Sequence, residues 1–253
     1  MTREVSPSLG RCELTHLERA PIAIGPARAQ HAGYEALLES LGCRLIRLPA
    51  DPDLPDSVFV EDTAVVLDEV AVIARPGAAS RRPETAAVAG ALAPFRPLLR
   101  LEDPATLDGG DVLVLGRTLY VGLSSRTSAA AADQLGRLLS PYGYAVVPVS
   151  VAGCLHLKSA VTRAGEDLLL LNPAWVDPSA FPGRRTLEVD PAEPFAANVL
   201  AIGGQVVSPD SFPRTRRRLE AAGVRVRPVD MTELQKAEGA VTCCSLVFRA
   251  RGA

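Results

Sequence analysis

The sequence predicts an α/β protein built as a five-unit ββαβ propeller, and two observations carry that prediction. First, a pattern of strand, strand, helix, strand recurs with first strands beginning near residues 64, 112, 159, 199 and 244, a period of about 40 to 48 residues, within the range of propellers and solenoids. Second, the last copy supplies only its first strand before the chain ends, while the missing strand, helix and strand stand at the N-terminus. A unit completed by the opposite end of the chain implies a ring closed by pairing of N- and C-terminal segments. The expected organisation is one catalytic domain over residues 1–253, with helices outside and strand mouths around a central axis.

In order along the chain, Thr2–Val5 reads as a strand and Val5 to Arg19 as a polar loop holding Pro7 and Gly10. From Ala27 the pattern is helical, with Tyr34, Leu37, Leu38 and Leu41 at spacings of three and four, until Gly42 stops it. Cys43–Leu48 is a strand ended by Pro49. Unit one has strands Ala64–Leu67 and Val70–Ile73 about the tight pair Asp68-Glu69, a helix Glu84–Ala93 and a strand Leu98–Leu101. Unit two repeats this with Val112–Leu115 and Thr118–Val121 about Gly116-Arg117, a helix Ser128–Leu139 and a strand Tyr144–Val149. Unit three is weaker: Ser159–Thr162, Leu168–Leu171, a short helical piece near Trp175 and a strand near Thr186–Val189, with Pro173, Pro178, Pro182 and Gly183 shortening the helix. Unit four has Val199–Ile202, Gly203-Gly204, Gln205–Ser208, a basic helix Phe212–Ala222 and Val224–Val229. The run Arg214-Thr215-Arg216-Arg217-Arg218 reads as a solvated helix face. Unit five shows only Cys244–Arg249.

Composition narrows the function. The chain has 253 residues, 47% hydrophobic and 22% charged, as in ordinary globular proteins. Lys+Arg 27 against Asp+Glu 29 leaves a net charge of −2, so no electrostatic footprint points to nucleic acid or an acidic membrane. Five cysteines without C-x-x-C spacing or nearby His pairs argue against a disulfide framework and a structural zinc site. The opening Met1–Pro7 lacks the apolar run of a signal peptide, and no stretch approaches the roughly 18 apolar residues of a membrane span. A cytoplasmic protein with a small-molecule partner is expected, with no nucleic acid, no membrane, no metal and no cofactor. A homodimer is the one assembly considered.

Residues just before each first strand should share one end of the axis. Before unit one lies Asp56-Ser57-Val58-Phe59-Val60-Glu61-Asp62, before unit two Asp108-Gly109-Gly110-Asp111, before unit three His156, and before unit five Cys243. Singly, each has a structural explanation: a turn cap, a tight turn, a packed histidine, a small core hydrophobe. Together they form a site in which Cys243 is a nucleophile, His156 moves protons, and a carboxylate such as Asp108 orients His156. Extra carboxylates near a thiolate raise its pKa, so Asp56, Glu61 and Asp62 make sense if the substrate brings a cation, a guanidinium fitting paired carboxylate bonds.

Five motifs in order, Asp56–Asp62, Thr106–Leu113, Val121–Thr127, Leu155–Ser159 and Val241–Ser245, resemble the dimethylarginine dimethylaminohydrolase family, of the guanidino-group-modifying superfamily that includes arginine deiminase and the amidinotransferases. The resemblance runs from Ser8 almost to the C-terminus. It implies the five-unit propeller, attack by Cys243 on the guanidinium carbon, departure of methylamine or dimethylamine with a proton from His156, and release of citrulline by water. Asp108 is then the partner of His156, and Asp56, Glu61 and Asp62 bind substrate, Glu61 and Asp62 at the guanidinium. Arg81 and Arg126 clamp the α-carboxylate, Leu14 sits in a mobile lid, and the Ala237 carbonyl meets the α-amino group. Cys243 rather than Cys244 is the nucleophile; Lys158 and Ser159 read as scaffold, and Asp111 is held back because the Gly-Gly pair turns it away. The rivals are an arginine or agmatine deiminase, which shares these residues; a silent guanidine-binding protein; and a metal module using Cys243 and His156, which lacks ligand spacing.

Overall fold

The structure, a computed structural model, describes residues 1–250 of the chain. The chain opens with β1 (Thr2–Arg3), α1 (Ile24–Ser40) and β2 (Arg47–Leu48). Unit one follows as β3 (Ala64–Val66), β4 (Ala71–Ile73), α2 (Glu84–Leu92) and β5 (Leu98–Arg100); unit two as β6 (Val112–Leu115), β7 (Thr118–Leu123), α3 (Ala129–Leu139) and β8 (Ala145–Ser150). Unit three opens on a helical turn, α4 (Leu157–Ala160), then β9 (Val161–Arg163), β10 (Leu168–Leu171) and β11 (Arg185–Glu188). Unit four is β12 (Leu200–Ile202), β13 (Gln205–Pro209), α5 (Pro213–Ala221) and β14 (Val226–Val229), and α6 (Thr232–Gln235) leads towards Cys243.

Each of the four three-stranded sheets pairs its first two strands antiparallel and its second and third parallel. The antiparallel pairs close through tight turns; Gly203 and Gly204 both have positive φ, as a two-residue hairpin turn with right-handed strand twist requires. The parallel third strand needs a crossover, which supplies the outer helix. In unit three the prolines leave only a helical turn at Pro178–Ala180. Phe181, 2% exposed, fills that place, its ring 4.9 Å from that of Tyr120.

The apolar residues show how the units are joined. One cluster combines Val65, Val70 and Val72 of unit one with Val112, Leu119 and Leu135 of unit two. A second joins Leu113 and Val149 of unit two to Leu157, Leu169 and Phe181 of unit three, and a third joins Leu168 and Leu170 of unit three to Val199 and Val206 of unit four. Val207 of unit four packs with Leu9, Tyr34, Leu38, Val241 and Cys244, and Met1 and Leu246 pack with Ile73, Val88 and Leu92 of unit one. Every core therefore lies between consecutive units, and the fifth brings the ring back to the first.

The closing unit departs from expectation. β1 and β2 pair in parallel, as the second and third strands of unit five should, but residues 244–249 form no strand. Residues 241–244 are a turn, and Leu246 exchanges two backbone hydrogen bonds with Met1, N to O 2.9 Å and 2.7 Å. A partner strand of two residues offers no longer ladder. α1 starts at Ile24 rather than Ala27 and buries Ala27, His31, Tyr34 and Leu38 on one face. The Tyr34 hydroxyl donates to the Val241 carbonyl at 2.8 Å and lies 2.7 Å from Ser245 Oγ, tying the helix to the Cys243 turn. In unit three the expected strand start at Ser159 is displaced: Leu157–Ala160 is helical and the strand begins at Val161.

Candidate active site

A short turn precedes the first strand of units one to four and stands at the same place in unit five: it is helical at Val60–Thr63, Gly109–Asp111 and Leu157–Ala160, and a hydrogen-bonded turn at residues 194–197 and 241–244. Their side chains and backbone bond each turn to the next. Gly110 N–H donates to Asp62 Oδ1 at 2.9 Å, Leu157 N–H to Asp111 Oδ1 at 2.8 Å, and Asn198 Nδ2 to the Lys158 carbonyl at 3.1 Å and to Thr242 Oγ1 at 3.0 Å. Thr242 Oγ1 donates to Glu61 Oε2 at 2.6 Å, and Glu61 N–H to the Cys243 carbonyl at 3.1 Å. The circuit passes through all five units.

Glycine is required where two of these turns meet. A Cβ on Gly109 would lie 2.0 Å from the Glu61 carbonyl oxygen, and one on Gly110 2.6 Å from His156 Nδ1. The Asp-Gly-Gly-Asp motif thus permits His156 to approach unit two. Asp111, which the sequence reading set aside, is buried: it accepts from Leu157 N–H and from Ser124 Oγ at 2.7 Å, tying units two and three together.

Cys243, His156, Asp62, Asp56, Arg81, Arg126 and Ala237 share the wall of one cavity. The cavity measures about 20 Å³. Asp108 stands behind it, fully buried, with Oδ2 3.1 Å from His156 Nε2 and Oδ1 accepting Gly77 N–H at 2.9 Å. His156 Nδ1 lies 3.8 Å from Asp62 Oδ1. Burial pulls the imidazole towards its neutral form, but Asp62, the bond to Asp108 and Asp111 outweigh it and raise its pKa to about 9. Burial likewise opposes the charge on Asp62, yet His156 and Arg81 hold it down at about 2. Burial, then Glu61 and Asp62, push the Cys243 thiol up to about 12. At neutral pH the thiol is protonated and His156 is a cation.

Three predicted residues sit differently from the reading of the sequence. Glu61 is not on the wall: Oε1 accepts Lys158 Nζ at 2.5 Å and Oε2 accepts Thr242. Lys158 is thereby more than scaffold, since without it Glu61 would be a buried uncompensated charge. Arg81 is on the wall, but its guanidinium is engaged by Asp62 at 2.5 Å, by both oxygens of Glu84 and by the Phe59 carbonyl. Arg126 has one bond to Thr15 Oγ1 at 2.9 Å and lies 3.9 Å from Asp108. Leu14 is not on the wall: it is half-buried against the apolar cluster that holds Leu9, Tyr34 and Val241, one residue after Glu13, which is on the wall.

Sequence reading did not single out Asn198, Thr242, Glu13 or Glu238. Asn198 and Thr242 are repeat-equivalent to the motif residues, and that equivalence is the signal that finds them. Glu13 and Glu238 line the cavity, and the Glu238 carboxylate accepts the backbone N–H groups of Thr15, His16 and Leu17. The ligating atoms of Asp62, Asp108 and His156 lie within 4.8 Å of one another, close enough for an ion, but Asp62 is already held by Arg81 and Gly110 and Asp108 by His156.

The family model described as N,N dimethylarginine dimethylhydrolase, eukaryotic, matches residues 17–176. A Streptomyces coelicolor protein named N(G),N(G)-dimethylarginine dimethylaminohydrolase is 42% identical over 251 residues, covering 98% of this chain and 96% of its own length. A Pseudomonas aeruginosa protein of the same name is 35% identical over 224 residues, covering 88% of each. The solved structure of a serine variant of DDAH from P. aeruginosa, complexed with citrulline, aligns at a TM-score of 0.92 and 32% identity, over 98% of this chain and 97% of that one.

Proposed function

The chain belongs to the dimethylarginine dimethylaminohydrolase family, and from that premise we propose that it hydrolyses Nω-methylated arginines to citrulline and methylamine or dimethylamine. The observation that carries this reading is the meeting of Cys243, the His156–Asp108 pair and the carboxylates Asp56 and Asp62 at one cavity. Asp56 and Asp62 receive the substrate cation, while Arg126, with Arg81 on the same wall, meets the α-carboxylate. The Ala237 carbonyl accepts from the α-amino group. Glu61 acts at one remove, fixing Lys158 and Thr242 beside the nucleophile. The catalytic unit is the whole chain, residues 1–253, working in the cytoplasm on a small molecule.

The reaction follows from the protonation states. A bound guanidinium lowers the thiol pKa that Glu61 and Asp62 raise, and the Cys243 proton passes to solvent water, His156 being already protonated. The thiolate adds to the guanidinium carbon. His156, protonated at rest, gives its proton to the departing amine, leaving an S-alkylthiouronium on Cys243. The now neutral imidazole accepts a proton from the attacking water. Collapse of that adduct breaks the C–S bond as the hydroxyl proton passes to solvent, and citrulline is released with the thiolate regenerated and His156 again protonated.

The test is turnover of asymmetric dimethylarginine, monomethylarginine, arginine and agmatine in parallel, with Cys243→Ser as control. Citrulline from the methylated substrates, abolished in the variant, is the expected result. Ammonia from arginine or agmatine instead would move the chain to the deiminases, and no turnover of any guanidine would leave a binding protein.

A further inference from the structure

The cavity has room for about one water molecule, far less than an amino-acid substrate fills, and Glu13 stands on its wall. Glu13 begins residues 13–17, a stretch without regular secondary structure that is tied down at several points. Glu13 N–H donates to both oxygens of Asp56, Ser80 Oγ donates to Glu13 Oε1 at 2.5 Å, and Arg126 reaches Thr15. The remaining tie is made by one side chain. The Glu238 carboxylate accepts three successive backbone N–H groups: Thr15 at 3.1 Å, His16 at 2.5 Å and Leu17 at 2.6 Å.

The backbone of Glu238 is an independent observation. It is the one non-glycine residue with positive φ, 59°, among the described residues. Gly239 N–H bonds the Leu234 carbonyl and Glu238 N–H the Gln235 carbonyl, the pattern that ends a helix on a left-handed residue. That position is ordinarily glycine or asparagine, because a Cβ is disfavoured there. A glutamate placed against this preference has a side chain in use elsewhere, and the use visible here is the clasp on Thr15–Leu17.

We propose that Glu238 is the latch of the loop that begins at the active-site wall: a positioning residue that holds residues 13–17 closed on bound substrate and releases them for substrate to enter and product to leave. The same turn leads into Ala240 and Cys243, so the latch joins the loop to the segment carrying the nucleophile. The effect on turnover rests on the proposed methylarginine hydrolysis; the effect on the loop does not.

Two variants test it. Glu238→Gln keeps the length and the backbone preference but removes the charge; Glu238→Gly removes the clasp and relieves the backbone. Amide hydrogen exchange at residues 15–17 should speed up by about tenfold or more in both, while Glu238→Gly unfolds at the same temperature as the parent or higher. A residue that merely supports the fold would give the reverse, a less stable Glu238→Gly with an unchanged loop. With asymmetric dimethylarginine, KM should rise about tenfold with kcat within about twofold, because the reacting atoms do not touch Glu238. Unaltered exchange at residues 15–17 in both variants, or a fall in kcat at constant KM, overturns the latch. If the parent enzyme turns over no methylarginine, the functional reading fails while the exchange experiment still decides the latch.

Discussion

Cys243 and His156 carry protons in an order opposite to that of their chemistry. Reaction needs a thiolate beside an imidazolium, but the thiol stands at about 12 and the imidazole at about 9. Among free enzyme molecules that have lost one of these protons, roughly one in a thousand has lost it from sulfur. Below pH 9 the dominant form has both protons, so kcat/KM should climb with pH to a plateau starting near the histidine value of about 9. A pH–rate profile checks this, and a plateau reached by pH 6 would contradict it. The carboxylates that suppress the free thiolate are neutralised by the substrate cation, so the nucleophile is activated where there is something to attack. Asp108 acts on the same balance: Asp108→Asn should lower kcat by about 100-fold or more with little change in KM, measured at pH 8, because the imidazolium loses its bonded carboxylate.

The five turns ahead of the strands are the elements that assemble the site, and the least legible in the sequence. Hairpin glycines between apolar runs announced the strands of units two and four, since Gly116 and Gly203-Gly204 stand where tight turns demand them, and apolar runs about Asp68-Glu69 announced those of unit one. A turn of three or four residues has no period to read. Cys243, His156 and Asp108 were found because their chemistry is conspicuous, whereas Asn198 offers only an amide. Yet Asn198 bridges units three, four and five, with its Nδ2 on Lys158 and Thr242 and its Oδ1 accepting Thr242 N–H at 3.1 Å. Asn198→Ala leaves these buried groups unpaired and should destabilise the fold by about 2 kcal/mol, read as a lower denaturation midpoint at constant m-value. The closing strand at 244–249 was misread for a related reason: its apolar residues have the right pattern, but strand formation depends on a partner of only two residues, β1. Glu238 was invisible because a glutamate after a helix carries no signature of a left-handed backbone.

At the scale of the molecule the buried charges set how stability follows pH. His156 binds its proton more tightly folded than at its ordinary value of 6.5, so its contribution is complete below that value and is lost as pH rises through about 9. Cys243 and Cys154, raised from 9.0 to about 12, add a loss that begins near pH 9. Asp62 acts in the opposite direction, its contribution lost only as pH falls from 3.8 through about 2. The Met1 ammonium, lowered by burial from 8.0 to about 6, works against this loss over the same range, so unfolding free energy should fall by about 3 kcal/mol between pH 7 and 9.5. Chemical denaturation at the two pH values measures it, and His156→Asn should flatten the difference.

The two-way bond between Met1 and Leu246 spans 245 positions of sequence, and α1 docks on Val241 and Ser245 from a similar distance. A chain made from its N-terminus therefore finishes α1, with Tyr34 and Leu38 on its apolar face, long before the ribosome has produced the residues that cover them. Units one to four can build their shared cores as they emerge, but the first segment synthesised is the last to be buried. Until residue 246 appears, the nascent protein is an open arc with an uncovered end, and the Cys243 turn arrives in the same few residues that shut it.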